Sequence, residues 1–414
     1  MSPDVPVPTC APLRVTAVMT HPIQYFSPWF RWITANLPDV DLTVLYAAVP
    51  RAEQQGRAFG EVFEWDSRPL DGYRYEVCVS PDGLTFTDDT FWGLDVADVG
   101  DRIARTRPDV VLIAGWHSAF QVRALLACRR RGLPAIYRGD SCLPMAPTGW
   151  RRPLWWMRTW LLLRLFRGWL SVGTRADEYL RHFSVPAGRV AASPHCADHD
   201  WFAAHASVAR ADGGRERLRV ALGLREDDFV VLFAGRLMQR KRPLDALRGL
   251  VGLGPSAVLL VVGTGPMMEA LQVEARRLGV RTVMAGFRNQ RGMADCYAAS
   301  DVLAVPSAWE SWGLVVNEAL ASGIPCVVSA DVAAGTDLIR DGENGFSVPV
   351  GDVEAIRGAL GAVREGLASG RYDAPTCQKP VMTRGFREAS AGLLTLGRRL
   401  ARGAPGTPQS LYRD

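Results

Sequence analysis

Asp301-Val-Leu-Ala-Val-Pro-Ser307, followed after Ala308-Trp309 by Glu310-Ser-Trp-Gly-Leu-Val-Val-Asn-Glu318, sets one strand, one crevice and one helix in a row. The apolar run at 302–306 is short enough for a strand covered on both faces, and a helix is predicted from near Gly313 to just before Gly323. In parallel α/β sheets such a strand-to-helix turn lies at the carboxyl edge, where ligands collect. Glu310 stands at the crevice and Glu318 about one to two turns further on, so two carboxylates at different heights face one ligand. The amides around Trp312, Gly313 and Leu314, next to Ser311, open the helix at a place that suits a phosphate.

Working outward, the same alternation fills the chain. Apolar runs at 15–19, 42–46, 110–114, 134–137, 170–172 and 190–192 are separated by helix-length segments, as are runs at 230–234, 258–263, 282–286, 302–306, 325–329 and 346–349. This predicts an α/β protein of two Rossmann-like, doubly wound domains facing across a cleft, each with its own sheet. The expected division is 1–203, completed by a C-terminal helix at 384–402, and 204–383, with a flexible tail at 403–414. Residues 204–216, rich in Ala, Gly and charge, are the expected linker.

Cations gather in the second half. The chain holds 48 Lys plus Arg, yet lysine stands only at Lys241 and Lys379. Arginine serves almost every other cationic position, so a retained lysine points to a need for a compact ammonium. Lys241 closes the run Phe233-Ala-Gly-Arg-Leu-Met-Gln-Arg-Lys241 directly after an apolar run, which places Gly235, Arg236 and Lys241 where two cations face a diphosphate.

Composition narrows the class. A 48% hydrophobic, 22% charged chain is a soluble globular protein, and a net charge of +5 favours anionic partners such as nucleotides or lipid headgroups. The arginines are scattered without an aromatic-basic array, which argues against nucleic acid. The eight cysteines include no Cys-x-x-Cys pair, so they read as reduced thiols and not as a disulfide frame or zinc site. The start, Met1-Ser-Pro-Asp-Val-Pro-Val-Pro8, lacks the charge and apolar run of a signal peptide, and no uncharged run reaches transmembrane length. The expected location is cytoplasmic, with peripheral contact at the inner face of the membrane as an alternative.

Five segments occur in order: Phe233-Ala-Gly-Arg236, Val262-Gly-Thr-Gly-Pro266, Met284-Ala-Gly-Phe287, the Glu310 to Glu318 element with Ala319-Leu-Ala-Ser-Gly-Ile-Pro325, and Asp341-Gly-Glu-Asn-Gly345. Together they resemble the retaining glycosyltransferases of the GT-B fold, in particular glycosyltransferase family 4, closely over 186–352 and more loosely before. The resemblance implies transfer of a sugar from a nucleotide-diphosphate sugar donor to an acceptor hydroxyl, with no metal or other cofactor. It implies that Arg236 and Lys241 neutralise the donor diphosphate, that Glu318 holds the ribose hydroxyls and that Glu310 meets the donor sugar. Phe287, Arg288 and Asn289 resemble the loop that reads the base, and His117, after the run 110–114, the histidine beside the reacting sugar. Gly235, Gly263, Gly265 and Ser311 to Leu314 complete the implied donor side. Gly263 and Gly265 serve tight turns equally well.

The sequence departs from that pattern at Thr20-His-Pro-Ile-Gln-Tyr-Phe-Ser-Pro28, where relatives carry a glycine pair. His21, Gln24 and Tyr25 are then the acceptor-side candidates. Trp150-Arg-Arg-Pro-Leu-Trp-Trp-Met-Arg-Thr-Trp-Leu-Leu-Leu-Arg-Leu-Phe-Arg167 reads as a helix with Pro153 in its first turn. Its apolar residues surround the axis, which predicts a buried helix; contact with a membrane interface, useful for a lipid-linked acceptor, is the alternative. Asp198-His-Asp200 superficially resembles a metal-binding Asp-x-Asp but falls near the domain junction, apart from the phosphate cations. Two other functions stay open: a nucleotide-sugar 2-epimerase of the same architecture, and a non-catalytic partner that binds nucleotide sugar or membrane.

Overall fold

The computed structural model describes residues 11–56, 62–79, 90–211 and 213–403. The first sheet runs in the order β3-β2-β1-β4-β5-β6-β7, from Leu13–Met19 (β1), Val40–Tyr46 (β2), Arg74–Val77 (β3), Val110–Ile113 (β4), Ala135–Gly139 (β5), Gly168–Ser171 (β6) and Val190–Ala192 (β7). The second runs β10-β9-β8-β11-β12-β13, from Phe229–Ala234 (β8), Ala257–Val262 (β9), Arg281–Gly286 (β10), Val302–Val305 (β11), Cys326–Ser329 (β12) and Gly345–Val348 (β13). Adjacent strands pair in parallel in both sheets. Each order reverses beside the sheet's first strand, β1 next to β4 and β8 next to β11, which opens a crevice at the carboxyl edge.

Every expected apolar run coincides with a strand. β3 was not expected: its Arg-Tyr-Glu-Val is an edge strand with exposed and half-buried side chains, and it carries no apolar run to mark it. The expected linker at 204–216 is helical instead. Helix His199–Ala211 buries Phe202, Ala206 and Ala209, packs on helices Gln290–Ala299 and Leu314–Ala321 of the second half, and is followed by helix Gly214–Ala221. Alanine and arginine, read there as loop composition, are strong helix formers. The stretch after 368, read as irregular, contains helix Ala374–Met382, which Asp373 caps by accepting from the Thr376 N–H at 2.9 Å. The tail at 403–414 lies outside the described residues except for Gly403.

The chain's last described helix, Phe386–Ala401, returns to the first sheet. Ala389, Leu393 and Leu396 join the core around β1, and the Trp29 indole N–H donates to the Ser390 hydroxyl at 2.9 Å. Gly392 lets this helix touch β7, since a Cβ there would overlap the Ala192 carbonyl.

Helix Arg151–Leu165 forms as expected but is not buried. Only Thr159 and Leu163 are enclosed, while Trp150 just before it and Leu154, Met157 and Leu161 on it are 80, 60, 50 and 52% exposed. Their spacing puts them on one face. Among the described residues no helix is long and apolar enough to cross a membrane.

Gly392→Ala sets helix propensity, a gain of about 1 kcal/mol, against overlap with backbone that cannot move aside. The overlap should win, and thermal unfolding should show a lowered Tm; an unchanged or raised Tm would mean that the helix does not seat on β7 this closely.

Candidate active site

β8 and β9 are followed directly by Gly235 (φ 143°) and Gly263 (φ 127°), in conformations that side chains rarely adopt. A Cβ on Gly263 would overlap the Gly235 carbonyl, and one on Gly265 would come within 2.5 Å of the Leu237 carbonyl oxygen. The glycines thus nest two loops at the carboxyl edge. Above them lies a cavity of about 350 Å³ walled by Gly235, Arg236, Gly263, Phe287, Arg288 and Glu318 of the second domain and by Gln24, Tyr25, Trp65 and Asp198 opposite. Gly265 is outside this lining and serves the turn.

Glu318, on helix Leu314–Ala321, is 5% exposed and accepts from the Tyr297 hydroxyl at 2.7 Å. Burial pushes its pKa up to about 7, opposed by the hydrogen bonds from Tyr297 and Tyr25. Tyr25 comes from the glycine-free loop, so the first domain reaches across the cleft to this acid. Both phenols are held well above their ordinary pKa by burial and then by the Glu318 charge.

Glu310 sits past the end of β11, bridged to Val332, and is 7% exposed. The Ser307 hydroxyl donates to it at 2.6 Å, the Lys241 ammonium lies 2.5 Å away and the Arg240 guanidinium 3.3 Å away. Lys241 belongs to the short turn Gln239–Lys241, and its ammonium would stand 3.9 Å from a Cβ on Gly235, so the ion cluster borders the cavity floor without lining it. Arg240, whose guanidinium also covers the Trp309 ring at 4.4 Å, escaped the sequence reading. An arginine beside a rare lysine carries no compositional signal in so arginine-rich a chain.

Other candidates serve the domain junction. Ser311 donates to Asp140 of the first domain at 2.6 Å. Trp312 is buried against His195, with its indole N–H on Asn317 at 2.8 Å. Gly313 (φ 99°) starts the helix and Leu314 is its first residue; none of these four lines the cavity. Asn289 donates to the Glu64 carbonyl at 2.6 Å, Phe287 meets Phe63 with ring centres 4.3 Å apart, and Asp66 accepts from the Arg291 N–H at 3.0 Å. The segment 63–66 therefore closes one end of the cavity from the opposite domain, a contact that only the fold brings about.

His117 is exposed and lines a different cavity, with Trp116, Ser141 and Trp155. His21 contacts the Thr20 hydroxyl at 3.1 Å and is outside the main lining, whereas Gln24 and Tyr25 are in it. Asp198 corrects the sequence reading: it lines the same cavity as Arg236, while Asp200 is exposed. Asp198 accepts from the Trp201 N–H at 3.2 Å at the start of its helix, and among the described residues no group of three metal-ligating side chains forms.

Comparison with known proteins bears on this half of the chain. Residues 214–365 match the family Glycosyl transferases group 1. The D-inositol 3-phosphate glycosyltransferase of Streptomyces avermitilis is 37% identical over 194 residues, 43% of this chain and 40% of that protein. The UDP-Gal:alpha-D-GlcNAc-diphosphoundecaprenol alpha-1,3-galactosyltransferase of Escherichia coli is 32% identical over 147 residues, 34% of this chain and 37% of that protein. The chain thus spans about two fifths of the length of these curated relatives. Anabaena HepE, solved in complex with UDP and glucose, aligns over 94% of this chain and 99% of its own, with TM-score 0.67 and 16% identity. The two facing Rossmann-like domains are the GT-B architecture.

The raised pKa of Glu318 makes stability depend on pH. Its folded value near 7 exceeds the ordinary 4.5, so its contribution is complete below pH 4.5 and is lost as pH rises through 7. Wild type should lose up to about 1.4 kcal/mol per pH unit across that window relative to Glu318→Gln. Urea unfolding of both proteins at pH 5, 6 and 7 checks this; a constant difference would contradict the burial of a titrating acid.

Proposed function

We propose that this protein is a retaining glycosyltransferase that moves a sugar from a nucleoside diphosphate sugar to an acceptor hydroxyl. The observation carrying the proposal is the convergence of Gly235, Arg236, Gly263, Phe287, Arg288 and Glu318 on one cavity at the carboxyl edge of the second sheet. The UDP and glucose in the HepE structure, and the UDP-Gal donor in the name of the E. coli relative, support a nucleotide-sugar occupant and make UDP the first nucleotide to test.

On this reading the base lies at Phe287 and Arg288 beneath Trp65, and ionised Glu318 accepts from the ribose hydroxyls, displacing Tyr25. Arg236, exposed at the cavity wall, and half-buried Lys241 carry the diphosphate charge and stabilise it further as the sugar bond breaks, the half-buried ammonium acting more strongly than a cation in water. Glu310, oriented by Ser307, Lys241 and Arg240, accepts from hydroxyls of the donor sugar. The acceptor hydroxyl attacks the anomeric carbon from the face the nucleotide leaves, and its proton passes to a donor phosphate oxygen. The proposed scheme gives a metal no role, and transfer is expected to persist in EDTA.

Lys241→Arg tests the site. The ammonium lies 2.5 Å from Glu310 and faces Gly235, with Arg240 on the same carboxylate, and the wider guanidinium fork is expected to disturb this arrangement. Transfer should fall at least roughly tenfold, about 1.4 kcal/mol of barrier, with Tm retained, while Lys379→Arg on an exposed helical position should do little. Near-wild-type rates in both would remove Lys241 from the site. Release of free nucleoside diphosphate, measured alongside, separates transfer from epimerisation.

The exposed face of helix Arg151–Leu165 supports membrane contact in place of burial. From 141 to 176 the chain carries Arg151, Arg152, Arg158, Arg164, Arg167 and Arg175 and no Asp or Glu, so the segment that bears the apolar face brings only positive charge with it. The lipid carrier named in the E. coli relative's substrate agrees with an acceptor presented at a membrane. Wild type should float with phosphatidylglycerol vesicles at low salt and the double variant Leu154→Asp/Leu161→Asp should not. Absence of the wild type from the vesicle fraction would end this part of the proposal.

A further inference from the structure

We propose that the second cavity, of about 320 Å³, holds the apolar chain of an amphiphilic acceptor whose hydroxylated head lies toward the interdomain cleft. The term acceptor rests on the glycosyltransferase reading; the binding of an apolar chain does not.

The cavity lies between helix Arg151–Leu165 and the carboxyl ends of β4 and β5. Most of its wall is apolar or aromatic: Phe91, Trp116, Met145, Trp155, Leu162 and Tyr179. Well-packed interiors leave few voids larger than a water molecule, and roughly 300–1,000 Å³ with an apolar wall and a few convergent polar groups is the form of a ligand pocket. The void is also structurally supported. Trp116 stacks on Tyr137 with ring centres 4.8 Å apart, and Trp155 packs edge-on against Tyr179 and Phe183.

The two ends differ in chemistry. Phe91 and Met145 are 40 and 38% exposed, so the apolar wall continues to the protein surface. The helix face that lines the cavity, Trp155, Thr159 and Leu162, adjoins the exposed face formed by Leu154, Met157 and Leu161, with Arg158 between them. An apolar opening beside a face whose own segment, 141–176, carries arginines and no Asp or Glu is complementary to an amphiphile drawn from an anionic lipid surface. Polar groups gather at the strand ends, where His117 follows β4 and Ser141 follows β5. Asp140, next to Ser141, accepts from Ser311, next to Glu310, so a head group at His117 and Ser141 is directed to the place where the donor sugar is proposed to sit. A free sugar would leave the aromatic wall unused, and a purely apolar molecule would make no use of the polar end at His117 and Ser141, where the Ser141 hydroxyl already meets that of Tyr137 at 3.1 Å.

Dodecyl and octyl β-D-glucopyranoside, below their micelle concentrations, are the probes, with glucose as control and the fluorescence of the intact chain, whose Trp116 and Trp155 line the cavity, as readout. Dodecyl glucoside should bind saturably, octyl glucoside more weakly by about fourfold per missing methylene while the chain stays inside, and glucose not at all. Leu162→Trp, which fills the cavity, and Met145→Trp, which crowds its exposed mouth, should each weaken dodecyl glucoside by about tenfold or more, with the UDP thermal shift retained as evidence of folding. Leu154→Asp/Leu161→Asp should bind it as wild type does, which separates cavity occupation from adsorption on the outer face. Affinity that is unchanged in both tryptophan variants, or equal for glucose and dodecyl glucoside, overturns the proposal. A dodecyl glucoside response as expected without any UDP shift would keep the apolar site and overturn its role as an acceptor site.

Discussion

A buried carboxylate is costly unless hydrogen-bond donors surround it, and Glu318 obtains its donors from both domains. Tyr297 supplies one hydroxyl from the helix packed beside it, and Tyr25 supplies the other from the loop after β1. Satisfying this acid therefore sets how closely the two sheets approach. Ser311 on Asp140 and Asn289 on the Glu64 carbonyl repeat the pattern on either side of the cavity. Behind it Asp337, 3% exposed, accepts from the Thr174 N–H and hydroxyl of the first domain and from Arg384 on the returning segment.

Ion pairs in this protein differ in what they do. Exposed pairs such as Arg14 with Asp109 gain little, because water and salt screen them and two long side chains lose freedom. The group around Glu310 differs because one 7% exposed carboxylate serves Lys241, Arg240 and Ser307 together. Removing the acid would leave cations crowded above Gly235, and removing Lys241 would leave the acid with a weaker partner. The acid is therefore held in a fixed frame by three partners at once.

The helix Arg151–Leu165 shows how a surface can be hidden in composition. Trp, Leu and Arg distributed around an axis give a weak pattern, since the inner and outer faces are both apolar for different reasons. Inward, Leu163 completes the first domain's core and Trp155 walls a cavity; outward, Leu154 and Leu161 are exposed among the described residues. The arginines extend their charge past the apolar stems, so the helix tolerates exposure.

The strands, the crossover helices and the C-terminal helix were legible in the sequence because their signals are local: apolar runs of strand length, glycines at turns and an amphipathic last helix. Gly235, Arg236 and Gly263 were legible as cavity residues for the same reason, as each follows a strand end, and Glu318 because its helix starts in the turn after β11. β3, the helical path through 204–216 and helix Ala374–Met382 were not, since an edge strand needs no apolar run and proline in a first turn looks like a break. Tertiary structure alone decided which groups meet. Tyr25 reaches Glu318 across 293 positions of chain (318 minus 25), Trp65 joins Phe287 at one cavity, Asp198 moves beside Arg236 and His117 moves to another pocket. Local sequence specifies which way a side chain can point within its own element; the distance between elements far apart in the chain is set only when their cores pack, and no pattern in the chain encodes it locally.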